Sequence, residues 1–451
     1  MARRALLDIP AVILDGAAGE KTANMDIREQ LAYLRRTIGE AATRADEKYG
    51  TSPVYVQPIS AELPQDEIPA GRGFVEDLLT GEVVENARGK HFQTEKLYAR
   101  HRRHGSFDIS DLMALAPDYL SALSEGTIPD CPPTRWAFLD TETTGLAGGS
   151  GTYAFLIGLG SIDEDGFRVR QFFMRDYDEE ASLLQSLAEH LQRFDVLVTY
   201  NGKSYDQPLL ETRYTMNRAR HPFAGMEHLD LLHGARRLFK LRLENCRLVN
   251  LENQILGVER EGDLPGELIP YCYFEYLRTR RAFRLVSIFH HNLVDIVSLA
   301  CLTGVIPEAF RDPENARARH GTDLLGLARW LRLSGRLEEA LRLMRRAIGM
   351  GLPDRHLFGS LFEIGIIEKK LGLDDAAAVT FTDLSLSPNP FRARAYEELA
   401  KHYEHREKNY LMALECVRAA RQMEDTDALL RRETRLERRS LKARRQPRLV
   451  R

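Results

Sequence analysis

The sequence predicts a mixed α/β domain followed by an all-helical domain. Apolar runs bounded by turn residues lie in the centre of the chain, an amphipathic helical pattern separates two of them, and the last third is helical and repetitive. With 451 residues, 43% hydrophobic and 29% charged, the chain has room for two or three globular domains. This composition excludes a fibrous or wholly disordered protein.

Charge and cysteine content restrict the function further. The formal net charge is −3, from 63 basic and 66 acidic residues, so overall charge indicates neither a nucleic-acid nor a membrane partner. Five cysteines without a CxxC pair predict no zinc site and no disulfide framework, which favours a cytoplasmic protein. The N-terminus is a poor signal peptide, and without an 18-residue apolar run we expect no transmembrane helix and no membrane partner.

The sheet prediction rests on three strands joined by short, turn-rich segments. They cover residues 136–140, 153–160 and 167–174 and predict an antiparallel meander. An amphipathic helix over 179–194 and a fourth strand over 195–200 follow. Later helical segments complete the α/β domain.

The C-terminal third predicts a helical array. Ala340, Ala376 and Ala413 stand 36 and 37 residues apart, a period typical of tetratricopeptide-type hairpins, although an irregular bundle is the alternative. The last segment, 431–451, carries ten basic and two acidic residues. It is either a solvated helix end that frays into disorder or an electrostatic tether for RNA or DNA.

The expected organisation has five parts. An amphipathic pattern over 24–48 and the prolines of 52–72 predict a helix and an extended linker. The parts are an N-terminal helix with a Pro-rich, partly disordered linker (1–72), a lead-in segment (73–130), the α/β domain (131–308), the helical array (315–430) and the basic tail (431–451).

A first pair of carboxylates ends the first strand of the meander. Asp140 and Glu142 are two residues apart, so both face the same side of the strand. Two like charges at the end of an apolar strand are costly unless a cation neutralises them, and Mg²⁺ or Mn²⁺ suits carboxylate oxygens. The alternative is a strand end with two solvated acids.

Two later motifs supply further acids and a base. Asp206 follows a strand and a polar turn at the start of a predicted helix, where the helix dipole alone would also favour a carboxylate. His291 lies four residues before Asp295 and shares its helical face, whereas His290 lies five before. A histidine beside metal-bound carboxylates can act as a general base, and the alternative is a packing or capping role.

Four acids from separate elements are the ligand set that a two-metal site needs. Such sites stabilise the attacking and leaving oxygens of a phosphoryl displacement, so the natural chemistry is phosphodiester hydrolysis with Mg²⁺ or Mn²⁺. Asp230 is either an additional acid near this site or a structural residue.

The ordered set Asp140/Glu142, Asp206 and Asp295 resembles the DEDD (DnaQ-like) 3′–5′ exonucleases of the RNase H-like fold. The stretch YNGKSYDQPLL is similar to the second exonuclease motif of family-B DNA polymerases. Longer stretches resemble the bacterial YprB-type RNase H-like proteins, which often carry tetratricopeptide-like helices after the nuclease domain. These stretches are DTETTGL…GTYAFLIGLG, HLDLLHGARRLFK, EREGDLPGELIPYCYFEYLRT and HHNLVDIVSLACL.

The resemblance implies a role for each acid. Asp140 would bridge both metals, Glu142 and Asp295 would hold the metal that activates water, and Asp206 would reach the second metal. The family uses either a histidine five residues before the last aspartate or a tyrosine four before it. This chain has histidine at both spacings, so the sequence leaves the general base open, although the HNxxD pattern and the shared helical face favour His291 over His290.

We therefore expect a metal-dependent nuclease, a 3′–5′ exonuclease on single-stranded DNA or RNA. Candidates for substrate contact are Thr143, Asn201 and Lys203, the last of which is placed to reach a phosphate. Two other classes of protein stay open: a non-catalytic nucleic-acid-binding module, and a scaffold whose helical array recruits a protein partner.

Overall fold

The computed structural model describes residues 73–123, 127–145, 151–260, 263–316 and 318–445. These residues belong to one compact unit. The helix predicted for 24–48, the Pro-rich linker over 52–72 and the end of the basic tail beyond 445 lie outside the described residues.

Nine strands are present in the described part of the chain. Seven of them form one sheet, and a two-residue pair forms a second. The strands are β1 (Gly81–Asn86), β2 (Gly89–Ala99), β3 (Arg103–His104), β4 (Phe107–Asp108), β5 (Trp136–Thr143), β6 (Ala154–Asp163), β7 (Gly166–Phe173), β8 (Val196–Thr199) and β9 (Glu227–Asp230).

Helices cover both faces of the large sheet and make up the C-terminal region. Those of the α/β region are α1 (Val75–Leu78), α2 (Ser110–Met113), α3 (Glu180–Leu191), α4 (Asp206–Met216), α5 (Leu231–Phe239), α6 (Leu248–Leu251), α7 (Ile269–Thr279) and α8 (Phe283–Arg311). Those of the C-terminal region are α9 (Gly321–Leu333), α10 (Leu337–Gly349), α11 (Asp354–Lys370), α12 (Asp374–Leu386), α13 (Arg392–His405), α14 (Tyr410–Arg421) and α15 (Asp427–Arg445).

The large sheet is mixed, in the order β1-β2-β7-β6-β5-β8-β9. The predicted meander is confirmed, because β5, β6 and β7 pair antiparallel, while β8 and β9 add to β5 in parallel. The segment expected only as a lead-in supplies the β1–β2 hairpin, which pairs with β7 and widens the sheet. The fold is therefore the predicted mixed α/β domain followed by an all-helical region.

Helix α8 lies against the centre of the sheet because β6 has no side chain where the helix crosses it. A Cβ atom at Gly158 would lie 2.4 Å from Oδ1 of Asn292, and one at Gly160 would lie 2.6 Å from Cγ2 of Ile296. By length and apolar composition α8 would also suffice to cross a membrane, but most of its apolar stretch is buried inside the protein. It is the core helix of this fold.

The first helices of the C-terminal region share a hydrophobic core with the α/β domain. Helix α9 packs on α5, where a Cβ atom at Gly326 would lie 2.5 Å from the Leu238 carbonyl oxygen. Trp330 of α9 stacks near Phe310 of α8, with ring centroids 4.6 Å apart. One continuous set of buried side chains runs from Ile109 to Ile367 of α11. The helical region is thus part of the structural support of the sheet.

The helix pairs of the array repeat a detail of backbone conformation. Gly335, Gly372 and Lys408, which lie before α10, α12 and α14, all have positive φ angles of 79°, 75° and 56°. Five residues after each of them is a buried alanine at the helix crossing. These alanines are Ala340, Ala377 and Ala413. The repeat is therefore real, but its second small residue is Ala377 rather than the predicted Ala376.

The described part of the basic tail is a packed helix. Leu429 and Leu436 of α15 are buried against the array. The Glu404 side chain is fully buried, and three arginines of α15 bind its carboxylate. They are Arg432, Arg435 and Arg439. Three of the ten basic residues in the segment 431–451 therefore compensate one buried acid.

Candidate active site

The C-terminal end of β5 presents two carboxylates to α8. Trp136 and Phe138 face the core that contains Leu293 of α8, and strand alternation places Asp140 and Glu142 on that same side. The β5–β6 register shifts after Glu142, where the chain turns away. The apolar strand thus carries its two acids toward the core helix, as predicted.

Helix α8 contributes three polar side chains within about one helical turn, namely His291, Asn292 and Asp295. Its fully buried Asn292 donates from Nδ2 to Oδ2 of Asp140 at 2.9 Å. Gln171 of β7 in turn donates to Oδ1 of Asn292 at 3.0 Å. Both ends of the Asn292 amide are therefore fixed, and the Asp140 carboxylate is tied to the helix that carries His291 and Asp295.

Glu142, His291 and Asp295 form the centre of the site. Each has a ligand atom within 4.8 Å of the others. Nε2 of His291 lies 3.4 Å from Oδ2 of Asp295 and 4.0 Å from Oε1 of Glu142. The i, i+4 spacing predicted from the sequence thus places the histidine and the aspartate on one face of α8, toward the end of β5.

Asp206 reaches the site from the first residue of α4. The Thr141 hydroxyl donates to its Oδ1 at 2.5 Å. Burial raises the pKa of Asp206 to about 6, although the hydrogen bond from Thr141 opposes this shift. Its charge also raises the pKa of Asp140, so the two carboxylates are electrostatic neighbours.

The two acids on β5, Asp140 and Glu142, are buried beside other carboxylates, which makes their ionised forms unfavourable. Burial raises the pKa of Asp140 well above its usual range, and Asp295 and Asp206 raise it further. Burial also raises the pKa of Glu142, with Asp140 and Asp295 adding to the shift. Buried like charges at this spacing favour either protonation or a bound cation. The oxygen atoms of the carboxylates in this cluster therefore fit a hard divalent ion such as Mg²⁺ or Mn²⁺.

Two charged residues near the site were missed by the sequence analysis. Arg260 forms an ion pair with Asp295, and Asp263 accepts a hydrogen bond from Nδ1 of His291 at 2.8 Å. They lie in an irregular segment before α7, within the stretch EREGDLPGELIPY that carried part of the family resemblance. The available signal was three charged residues in the four positions from Arg260 to Asp263, but they have no helical or strand periodicity.

The two candidate histidines, His290 and His291, differ in exposure and in position. His290 is exposed, whereas His291 is only 13% exposed and lies in the acidic cluster. Burial lowers the pKa of His291, but the hydrogen bond to Asp263 and the charge of Asp295 more than reverse this, so its pKa is raised above the ordinary value. Of the two histidines, His291 has the geometry of the predicted base.

The predicted substrate-contact residues are placed less uniformly. The Thr143 hydroxyl donates to the Gly145 carbonyl, while Lys203 is exposed in the turn before α4. Asn201 adopts a left-handed conformation with a φ of 68°. The backbone N–H groups of Asn201 and Lys203 donate to Asp230, which also caps α5. Asp230 therefore has a structural role in shaping this turn, and its charge also raises the pKa of Asp206.

The fold and the acidic centre are consistent with an RNase H-like protein, and the comparison of sequences agrees. Residues 137–306 match the model of the RNase_H superfamily. This range contains nearly all of β5, the whole of β6 and α4, and most of α8. Over 343 residues the chain is also 33% identical to the uncharacterized protein YprB of Bacillus subtilis (strain 168). That match covers 75% of this chain and 81% of the relative, and the chain belongs to the YprB family.

Two solved structures are more distant neighbours. The family B DNA polymerase of Pyrobaculum calidifontis matches with a TM-score of 0.30 and 15% identity, over 46% of this chain and 30% of the polymerase chain. A Podosopora anserina putative kinesin light chain with nearly identical TPR-like repeats matches with a TM-score of 0.22 and 17% identity, over 40% of this chain and 86% of its own. At such scores neither likeness carries an argument.

Proposed function

We propose that this protein is a divalent-metal-dependent nuclease, a 3′–5′ exonuclease that hydrolyses single-stranded DNA or RNA. The observation that carries the proposal is the cluster of Glu142, His291 and Asp295, with Asp140 and Asp206 beside it, on an RNase H-like sheet. Burial and mutual repulsion disfavour the ionised forms of Asp140 and Glu142, so a bound cation would stabilise them.

The ligands proposed for the metal are the four acids that the sequence singles out. Asp140, Glu142 and Asp295 face one another across β5 and α8, and Asp206 approaches from α4. Divalent ions held there would lower the pKa of water and neutralise charge on the scissile phosphate. The carboxylates themselves would hold and orient these ions through oxygen ligands.

His291 is the residue proposed to accept a proton from the attacking water. Its Nε2 atom faces Glu142 and Asp295, while Nδ1 is occupied by Asp263. A base needs its accepting atom within hydrogen-bond reach of the water, and this orientation provides it. Lys203, exposed at the turn before α4, is proposed to contact a phosphate of the bound strand.

The test is cleavage of end-labelled oligonucleotides by the purified full chain. The panel should contain DNA and RNA, single and double strands, and free and blocked 3′ ends, each with Mg²⁺, Mn²⁺ or EDTA. We expect stepwise, metal-dependent shortening from free 3′ ends. Asp140→Asn and Asp295→Asn should lower the rate by at least about 10²-fold, beyond the usual cost of changing a residue outside the ligand shell.

A non-catalytic binding module and an endonuclease predict different results in the same experiment. Oligonucleotide binding without turnover at any metal concentration would favour a non-catalytic binding module. Cleavage of internal bonds alone, at the same rate for strands with free and blocked 3′ ends, would indicate an endonuclease rather than an exonuclease. A protein partner of the array and a cytoplasmic location remain predictions from the sequence.

A further inference from the structure

Two charged side chains reach the site from outside the elements that carry its acids. Arg260 and Asp263 lie between α6 and α7, and their side chains are 7% and 18% exposed. They contact Asp295 and His291, which are 35 and 28 residues further along the chain. A long-range contact of this kind fixes side chains on α8 in a way that the helix alone does not.

Arg260 is anchored by a buried acid rather than by the site. Its Nε atom donates to Oε2 of Glu252 at 2.6 Å, and Nη2 donates to Oε1 at 2.5 Å. The Glu252 side chain is fully buried, so this bidentate pair holds the guanidinium plane firmly. From this anchor, Nη2 also donates to Oδ1 of Asp295, which leaves Oδ2 of Asp295 toward His291.

Asp263 bridges the arginine and the histidine. It accepts from Nη1 of Arg260 at 3.0 Å, and its two oxygens lie 2.8 and 3.0 Å from Nδ1 of His291. Nη1 of Arg260 is itself 3.3 Å from Nδ1. Since a guanidinium only donates, the Asp263 carboxylate is the group that can accept from both neighbours. Nδ1 therefore carries the hydrogen, and Nε2 points to Glu142 and Asp295.

We propose that Arg260 and Asp263 are positioning residues of this site. Asp263 holds the His291 ring with Nε2 toward Glu142 and Asp295, and Arg260 holds one oxygen of Asp295 so that the other is presented to a cation. The role in hydrolysis rests on the proposed function, whereas the effect on cation binding does not depend on any turnover.

Cation binding tests the arginine. The probe is Mn²⁺ alone, titrated by calorimetry into the full chain and into Arg260→Lys, which keeps the charge but loses the planar fork. We expect Mn²⁺ affinity to fall about tenfold, the scale of changes outside the ligand shell. Unchanged affinity would overturn the role of Arg260, and so would tighter binding, because it would make Arg260 a competitor of the cation.

A second variant protects this test against misfolding. Glu252→Gln leaves Arg260 in place but weakens its anchor, so Mn²⁺ affinity should fall in the same direction. The matched control is Asp323→Asn. This change removes a similarly buried ion pair between Asp323 of α9 and Arg242, which follows α5. It should lower the melting temperature and leave Mn²⁺ affinity unchanged.

Steady-state cleavage of a labelled single strand tests the aspartate. Asp263→Asn should lower kcat by about ten- to a hundredfold while KM and Mn²⁺ affinity stay within about twofold, and Asp263→Glu should recover part of kcat. A rise in KM with kcat unchanged would overturn the proposal for Asp263. If the unaltered protein binds Mn²⁺ yet cleaves nothing, the proposed function fails, and the Mn²⁺ titrations still decide the role of Arg260.

Discussion

At the scale of single residues, the site is a group of acids that the fold holds together against their repulsion. Asp140 and Glu142 could be predicted because strand alternation fixes their common side, and Asp295 because it shares a helical face with His291. Arg260 and Asp263 could not, since their contacts depend on how an irregular segment crosses α8. Local periodicity carries no information about such a crossing.

The raised pKa of Asp206 leads to a prediction about stability without metal. In the unfolded chain this carboxyl has its ordinary pKa of 3.8, and in the folded protein burial raises its pKa to about 6. The folded state thus holds the proton more tightly, and the stability from this group is lost as pH rises through about 4 to 6. Asp140 and Glu142 shift in the same direction.

We therefore expect the melting temperature in EDTA to fall between about pH 4 and pH 6, and Mg²⁺ or Mn²⁺ to restore more of it at pH 6 than at pH 4. Thermal unfolding followed by circular dichroism measures both effects. Asp206→Asn should flatten the pH dependence in EDTA. A metal-induced stabilisation of equal size at both pH values would contradict the electrostatic account of the site.

At the scale of secondary-structure elements, the position of α8 on β6 decides whether the acids meet. The sequence predicted both elements, but not that Gly158 and Gly160 are the surface on which the helix rests. The β1–β2 hairpin was missed for a related reason: much of it is exposed, so an apolar run does not mark it. Pairing with β7 defines it as part of the sheet.

Adding one methyl group at Gly158 should displace α8. A Cβ atom there would lie 2.4 Å from Oδ1 of Asn292, whose amide also holds Asp140. We expect Gly158→Ala to cost about 1–3 kcal/mol of stability and to lower Mn²⁺ affinity as well. Denaturant unfolding and calorimetry measure the two effects.

Gly225 provides the matched control, because a Cβ atom there would have no neighbour within 4 Å and its φ angle is ordinary. Gly225→Ala should leave both quantities within the error of measurement. If Gly158→Ala behaved in the same way, the close approach of α8 would not be what holds the site together.

At the scale of the whole molecule, the first helices of the array and the sheet share one hydrophobic core. The sequence predicted two adjacent domains from a change in periodicity, which reports each segment's own pattern. It gave no sign that α9 packs on α5 or that Trp330 lies beside Phe310. The array itself was predictable because its turns repeat at nearly constant spacing.

A chain that ends at residue 311 should not fold like the intact protein. It would expose the surface of α5 and α8 that α9 and α10 cover, including the neighbours of Leu324, Leu325 and Trp330. We expect aggregation or a melting temperature well below that of the full chain, with cleavage lost for this reason. A chain that ends at residue 371 keeps those helices and should retain Mn²⁺ binding. A stable, active 1–311 fragment would show that the shared core is dispensable.

The shared interior also has a consequence for synthesis on the ribosome. The helices that complete the core around the sheet are translated after every acid of the site, and the last buried contributor, Ile367, comes more than seventy positions after Asp295. A nascent chain that already contains all the acids still lacks part of its hydrophobic core. We therefore expect the native state to form only after translation has passed Ile367, which couples maturation of the protein to elongation.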